Sequence, residues 1–242
     1  MRRLLYVLIA AALAAPAALA GGGLPDTVQA VPVRGQAVAG GLTLWVHVFP
    51  AQGARGKPSP PDICSDGNQE TVAPLFARAN ATGLAFRVND ASIPIDRTAA
   101  LQAIGDSFAA WDGATPLAYF SVSDTGGAAR PAQDGVNSVG WAKLAPKSAL
   151  AATWTWTDAS GRIVEADVFF NSLHSWGVLS ACGSASVYDV ADVGTHEAGH
   201  TVGLDHLSDP GRLATMYPSA PRGEVRKRTL TTGDASGFLA AL

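Results

Sequence analysis

From residue 83 onward, apolar residues recur at the spacings of regular secondary structure. "GLAFRV" (83–88), "LAYFSV" (117–122), "GVNSVGWAKL" (135–144), "ALAATWTWT" (149–157) and "RIVEADVFF" (162–170) each predict a strand. "DASG" (158–161) predicts the turn joining the last two. Leu101, Ile104, Phe108 and Trp111 recur three and four apart, the stripe of an amphipathic helix, and Asp96 stands where its N-cap belongs. A second helix is predicted to begin between Val187 and Val190, and a short last one after Thr231 or Thr232. Strand, helix, strands and helix in that order predict an α/β fold, a mixed sheet with helices packed on it.

Residues 21–82 follow a different pattern. Gly, Pro and Ala dominate, "AQGARGKPSPP" (51–61) reads as a linker, and only "LTLWVHVF" (42–49) alternates well enough for a strand. This part is expected to be a loosely packed N-terminal segment or a propeptide. Residues 1–20 read as a secretory signal peptide: Arg2 and Arg3, then the apolar "LLYVLIAAALAA", then "ALA" before Gly21. The apolar run is short of the roughly 20 residues a membrane span needs. The expectation is a secreted, extracellular protein with no stable membrane span in the mature chain.

At 242 residues, 48% hydrophobic and 15% charged, the chain has material for one substantial core. A formal net charge of −3 gives no basic surface for nucleic acid. Cys64 and Cys182, in an exported chain, predict a disulfide.

Composition makes one stretch stand out. The chain has five histidines and four glutamates, and "THEAGHTVGLDH" (195–206) holds three of the histidines and one of the glutamates. His196 and His200 are four apart, which on a helix places both imidazoles on one face, able to share an ion. Glu197 points about a hundred degrees round that helix, too far to be a comfortable ligand but placed to hold a water. Gly203 lets the helix stop and the chain turn sharply, so that His206 can return as a third nitrogen. Three protein ligands and one open position make a catalytic zinc site rather than a closed structural one.

"HEAGHTVGLDH" resembles the extended zinc signature of the metzincin endopeptidases. "ATMYP" (214–218), with Met216 ten residues beyond His206, resembles the methionine turn of the matrixin branch. "FRVNDASIP", "ALQAIGDSFAAWDGATPL", "GVNSVGWAKL", "VEADVFFN" and "LTTGDASGFLAAL" are similar to bacterial matrixin-like proteins, so the likeness covers roughly residues 83–242. It implies a metzincin-like mixed five-stranded sheet with an active-site helix, a methionine turn and a C-terminal helix. It implies one catalytic Zn2+ on His196, His200 and His206, with Glu197 as general base and Met216 as an apolar floor. Tyr217 and Pro218 would form a wall of the pocket for the residue after the cut, and a polypeptide substrate would lie along "ALAATWTWT" as an edge strand. The enzyme would act as a monomer.

The departures from that family are specific. Leu207 follows the third histidine where matrixins commonly have Ser. Val168 stands where the fifth strand would offer a histidine to a second, structural zinc, and only His174 is nearby, so none is expected. Ca2+ on backbone and Asp or Asn oxygens is compatible with the resemblance, but no EF-hand-like spacing places it. "PPDICSDG" (60–67) lacks the Pro-Arg-Cys-Gly motif of matrixin latency, which favours Cys182 over the metal as the partner of Cys64. The charges of "SAPRGEVRKR" (219–228) are expected to be a solvated loop beside the pocket.

Overall fold

The computed structural model describes residues 26–52, 64, 69–183, 186–207 and 213–242. The leader expected at 1–20 and most of the 51–61 linker lie outside them. The elements in chain order begin with β1 (Thr27–Gln29), β2 (Val33–Ala37), β3 (Thr43–Pro50), β4 (Leu84–Val88) and α1 (Arg97–Asp112). β5 (Phe120–Ser123), β6 (Asn137–Ala145), β7 (Ala149–Thr157) and β8 (Ile163–Asn171) follow. A short pair, β9 (Trp176–Gly177) and β10 (Tyr188–Asp189), leads into α2 (Val190–Thr201), and α3 (Thr232–Ala241) is the last helix.

The five strands predicted from the sequence are β4 to β8. They form the order β5-β4-β6-β8-β7, parallel except for β7, which runs antiparallel to β8. The sheet does not stop there. β3 pairs antiparallel with β7 from Thr43↔Thr157 to Pro50↔Ala149, β2 pairs with β3, and β1 pairs with β6, giving eight strands. The described strands of the N-terminal segment are therefore part of the sheet rather than loosely packed beside it, and β7 is not an edge strand.

Burial explains the attachment. In β7 the tryptophans and threonines alternate, and successive side chains of a strand face opposite ways. Trp154 and Trp156 face away from the helices, into a small core with Val46, Leu144 and Phe169, on which Val28, Val33, Leu42 and Leu44 also pack. Without the N-terminal strands, two indoles would lie open to water.

The helices cover the other face. Asp96 caps α1 by accepting from the Ala99 amide at 2.8 Å, and Ile104, Phe108 and Trp111 enter the main core as their spacing predicts. Trp111 Nε1 donates to the Thr195 carbonyl at 2.8 Å, tying α1 to α2. α3 begins with a capping box between Thr231 and Asp234. Cys64 and Cys182 form a disulfide, closing a sequence separation of 118 residues. Among the described residues no helix is long and apolar enough to cross a membrane.

Candidate metal centre

α2 is capped by Asp189, whose carboxylate accepts from the Asp192 amide at 2.8 Å, and every one of its twelve residues is buried. The helix ends where Gly203 takes φ +97°, in the left-handed region. A Cβ there would lie 2.4 Å from the Ala77 carbonyl oxygen, so both conformation and space require glycine. The turn brings His206 back: its Nε2 lies 3.1 Å from His200 Nε2 and 3.2 Å from His196 Nε2. The three residues predicted to converge do so, with potential ligand atoms within 4.8 Å of one another.

The outward nitrogens decide what the inner ones can do. His196 Nδ1 lies 2.7 Å from the Thr215 carbonyl, and His200 Nδ1 lies 2.7 Å from the Leu204 carbonyl. A carbonyl only accepts, so each Nδ1 carries the proton and each Nε2 presents a lone pair. Burial, together with the neighbouring imidazoles, holds both rings well below their usual pKa, which keeps them neutral. His206 has a single Nε2 to set against two converging lone pairs. A cation shared by all three satisfies every one, and three neutral imidazoles suit zinc.

Glu197 stands beside this triad. Its Oε2 accepts from the Thr153 hydroxyl at 2.6 Å, while Oε1 has no hydrogen-bond partner among the described residues. Burial raises its pKa to about 8, partly opposed by the Thr153 bond. Met216 lies beneath α2: a Cβ on Gly199 would fall 2.3 Å from its sulfur. The methionine turn is itself pinned, since Asp234 of α3 accepts from the Thr215 amide at 3.0 Å. Sequence reasoning missed Thr153, Thr215, Leu204 and Asp234 as supports, two of them acting through backbone carbonyls that no residue pattern announces.

Tyr217, the residue after Met216, is buried, and Pro218 is half-buried. The loop after them is solvated only in part: Arg222 is exposed and Arg228 half-buried. Glu224, Arg226 and Lys227 are buried, and Glu224 Oε1 accepts from Arg226 Nε at 3.0 Å and Lys227 Nζ at 3.0 Å. The Lys227 amide also donates to Asp192 of α2 at 2.7 Å. Mutual pairing lets these charges leave water. Cys64, engaged in its disulfide, is not a metal ligand here.

Two further residues meet the triad from β3. Phe49 stacks on His196 with ring centroids 4.0 Å apart, and His47 stacks on His200 at 4.3 Å. His47 Nε2 is 3.5 Å from Asp205, which also meets Arg34 of β2 at 3.4 Å. Burial works against ionisation of Asp205, but hydrogen bonds from His47 and the His206 amide outweigh it and hold its pKa at about 2.

A mixed sheet, a helix carrying two histidines, a third returned by a glycine turn and a methionine below define a metzincin-type protein with a candidate zinc centre. The Matrixin family model matches residues 78–240, more than half of the chain, and the chain belongs to the matrixin family. It is 29% identical over 163 residues to the neutrophil collagenase of Homo sapiens, covering 66% of this chain and 32% of that protein. The chain thus spans about a third of the length of that relative.

Proposed function

We propose that the protein is a secreted, monomeric zinc-dependent endopeptidase acting on polypeptides. The observation that carries this reading is the meeting of three Nε2 atoms beside a buried carboxylate with one oxygen uncommitted. His196, His200 and His206 would hold the ion, and zinc there would supply the Lewis acidity that polarises a carbonyl and acidifies water. Glu197 Oε1 takes the proton of the attacking water and passes it to the leaving amine. Thr153 fixes the other oxygen, so that Oε1 keeps its aim. Tyr217 and Pro218 form one wall of the pocket for the residue after the cut, with Met216 as a floor under the histidines. The disulfide supports export, because such bonds persist in oxidising compartments.

The test pairs metal analysis with digestion of a peptide library. Because β3 lies against the triad, digestion is measured on the full chain carrying Phe49→Ala as well as on the unchanged chain. One zinc per chain and chelator-sensitive cleavage are expected. Glu197→Gln in the Phe49→Ala chain should keep the zinc and lose about 10²–10⁴-fold in rate. Cleavage undiminished by Glu197→Gln refutes the general-base assignment.

A further inference from the structure

The strand that turns β7 from an edge into an interior strand also threads the candidate cleft. β3 runs antiparallel to β7 in unbroken register from Thr43 to Phe49. Beyond it the Ala51 amide donates to Ser148 at 2.7 Å and the Gln52 amide donates to Ala220 at 3.0 Å. Ala51 and Ala220 form a parallel bridge, so the chain lies between β7 on one side and the segment after Pro218 on the other. Addition as a strand to a sheet edge is one way an extended peptide is held: main-chain bonds give affinity, and alternate side chains enter pockets.

Alternation places His47 and Phe49 on one face and Val48 on the other. Phe49 is fully buried over His196, with Lys227 Nζ 5.7 Å from its ring centre and 6.0 Å from that of Tyr217. The ring therefore fills the space bounded by His196, Tyr217 and Lys227, where the residue after a cut would be received. His47 lies over His200 on the other side, so the backbone of Val48 crosses the triad between the two rings.

We propose that residues 46–52 are a tethered occupant of the substrate cleft, and that Phe49 marks the pocket after the cut as one that takes a phenyl ring. The inference rests on the endopeptidase reading above. It makes the chain latent without a cysteine, since Cys64 is held by Cys182. A short tether gives an effective concentration of about 1 mM, so even a segment with a Kd of about 10 μM excludes substrate about a hundredfold.

Zinc-loaded full chains, unchanged and Phe49→Ala, are compared at equal metal content. Phe49→Ala is expected to raise kcat/KM on a fluorogenic peptide library at least tenfold and to favour peptides with phenylalanine after the cut. A labelled synthetic peptide of residues 43–52 should bind the Phe49→Ala chain but not the unchanged one, and should weaken at least tenfold when its own phenylalanine becomes alanine. Equal kcat/KM in the two chains, or a peptide that binds both alike, overturns the proposal. A library with no preference at the position after the cut overturns the pocket assignment. Should Phe49→Ala not fold, Phe49→Leu keeps the burial, loses the ring and carries the same comparison. If the peptide binds as expected while no chain hydrolyses anything, the endopeptidase reading fails and the tethered occupant stands.

Discussion

Replacing Gly199 by alanine tests whether the methionine turn positions the metal ligands. Gly199 is the residue just before His200 on α2, and its Cβ would fall 2.3 Å from Met216 Sδ and 2.7 Å from a ring carbon of Trp111. Comfortable contacts between such atoms are about 3.5–4.0 Å, so the shortfall exceeds an ångström at Met216 and is about an ångström at Trp111. Neither neighbour is free to withdraw: both are fully buried, and Trp111 is bonded to the Thr195 carbonyl. Overpacking costs about 1–3 kcal/mol, offset by about 1 kcal/mol of helix propensity gained from glycine to alanine. The net of about 0–2 kcal/mol lowers Tm by up to about 8 °C. The larger effect falls on zinc. Displacing Met216 displaces Thr215, whose carbonyl orients His196, and loss of such support weakens metal binding about 10- to 100-fold. Zinc affinity is measured by competition with a chelating dye. Gly105→Ala in α1 is the control, because nothing lies within 4 Å of its Cβ, and it should raise Tm slightly without touching zinc. An unchanged zinc affinity in Gly199→Ala refutes the reasoning.

Three further perturbations follow from the same contacts. Thr153→Val, in the Phe49→Ala chain, should lower kcat about 10- to 100-fold with KM unchanged, as expected for a lost hydrogen bond to a carboxylate, and Thr153→Ser should restore most of it; a rise in KM alone would contradict a positioning role. Burial raises Asp167 from its usual 3.8 to about 8 despite amide bonds from Ala132 and Ser138. Below the unfolded value both states hold the proton; between it and about 8 only the unfolded chain ionises, so this group's contribution is lost as pH rises through that window. Urea midpoints across this range should show a slope that Asp167→Asn reduces; an identical slope in both chains disproves it. Glu224→Gln removes the carboxylate shared by buried Arg226 and Lys227, costing about 3–5 kcal/mol and about 6–20 °C in Tm, whereas adding Lys227→Met should recover part of the loss. A shift of a degree or less would mean that the charges are not held by Glu224.

What could be read in the sequence was what is local. The HExxH spacing, the glycine turn and the third histidine fall within eleven residues, so helical period and one left-handed position suffice to bring the ligands together. The strands β4 to β8, the cap Asp96 and the start of the last helix near Thr231 were legible for the same reason. Partners far apart in the chain were not. The alternation of 42–49 predicts a strand, yet nothing in those eight residues says that the strand pairs with β7 more than a hundred positions away. The T-W-T-W-T run of β7 shows that threonines and tryptophans face opposite ways, but only the packing of α2 against the sheet sets Thr153, rather than Thr155, on Glu197. Glu224, Arg226 and Lys227 look like a solvated loop because charge alone predicts water, and their mutual pairing in an irregular turn has no period to reveal it. The same distinction separates the candidate site from its cover. The metal ligands are a short-range feature of one helix and its turn, while Phe49 and His47 reach them only through sheet pairing, so the property most open to regulation is also the one written least locally in the chain.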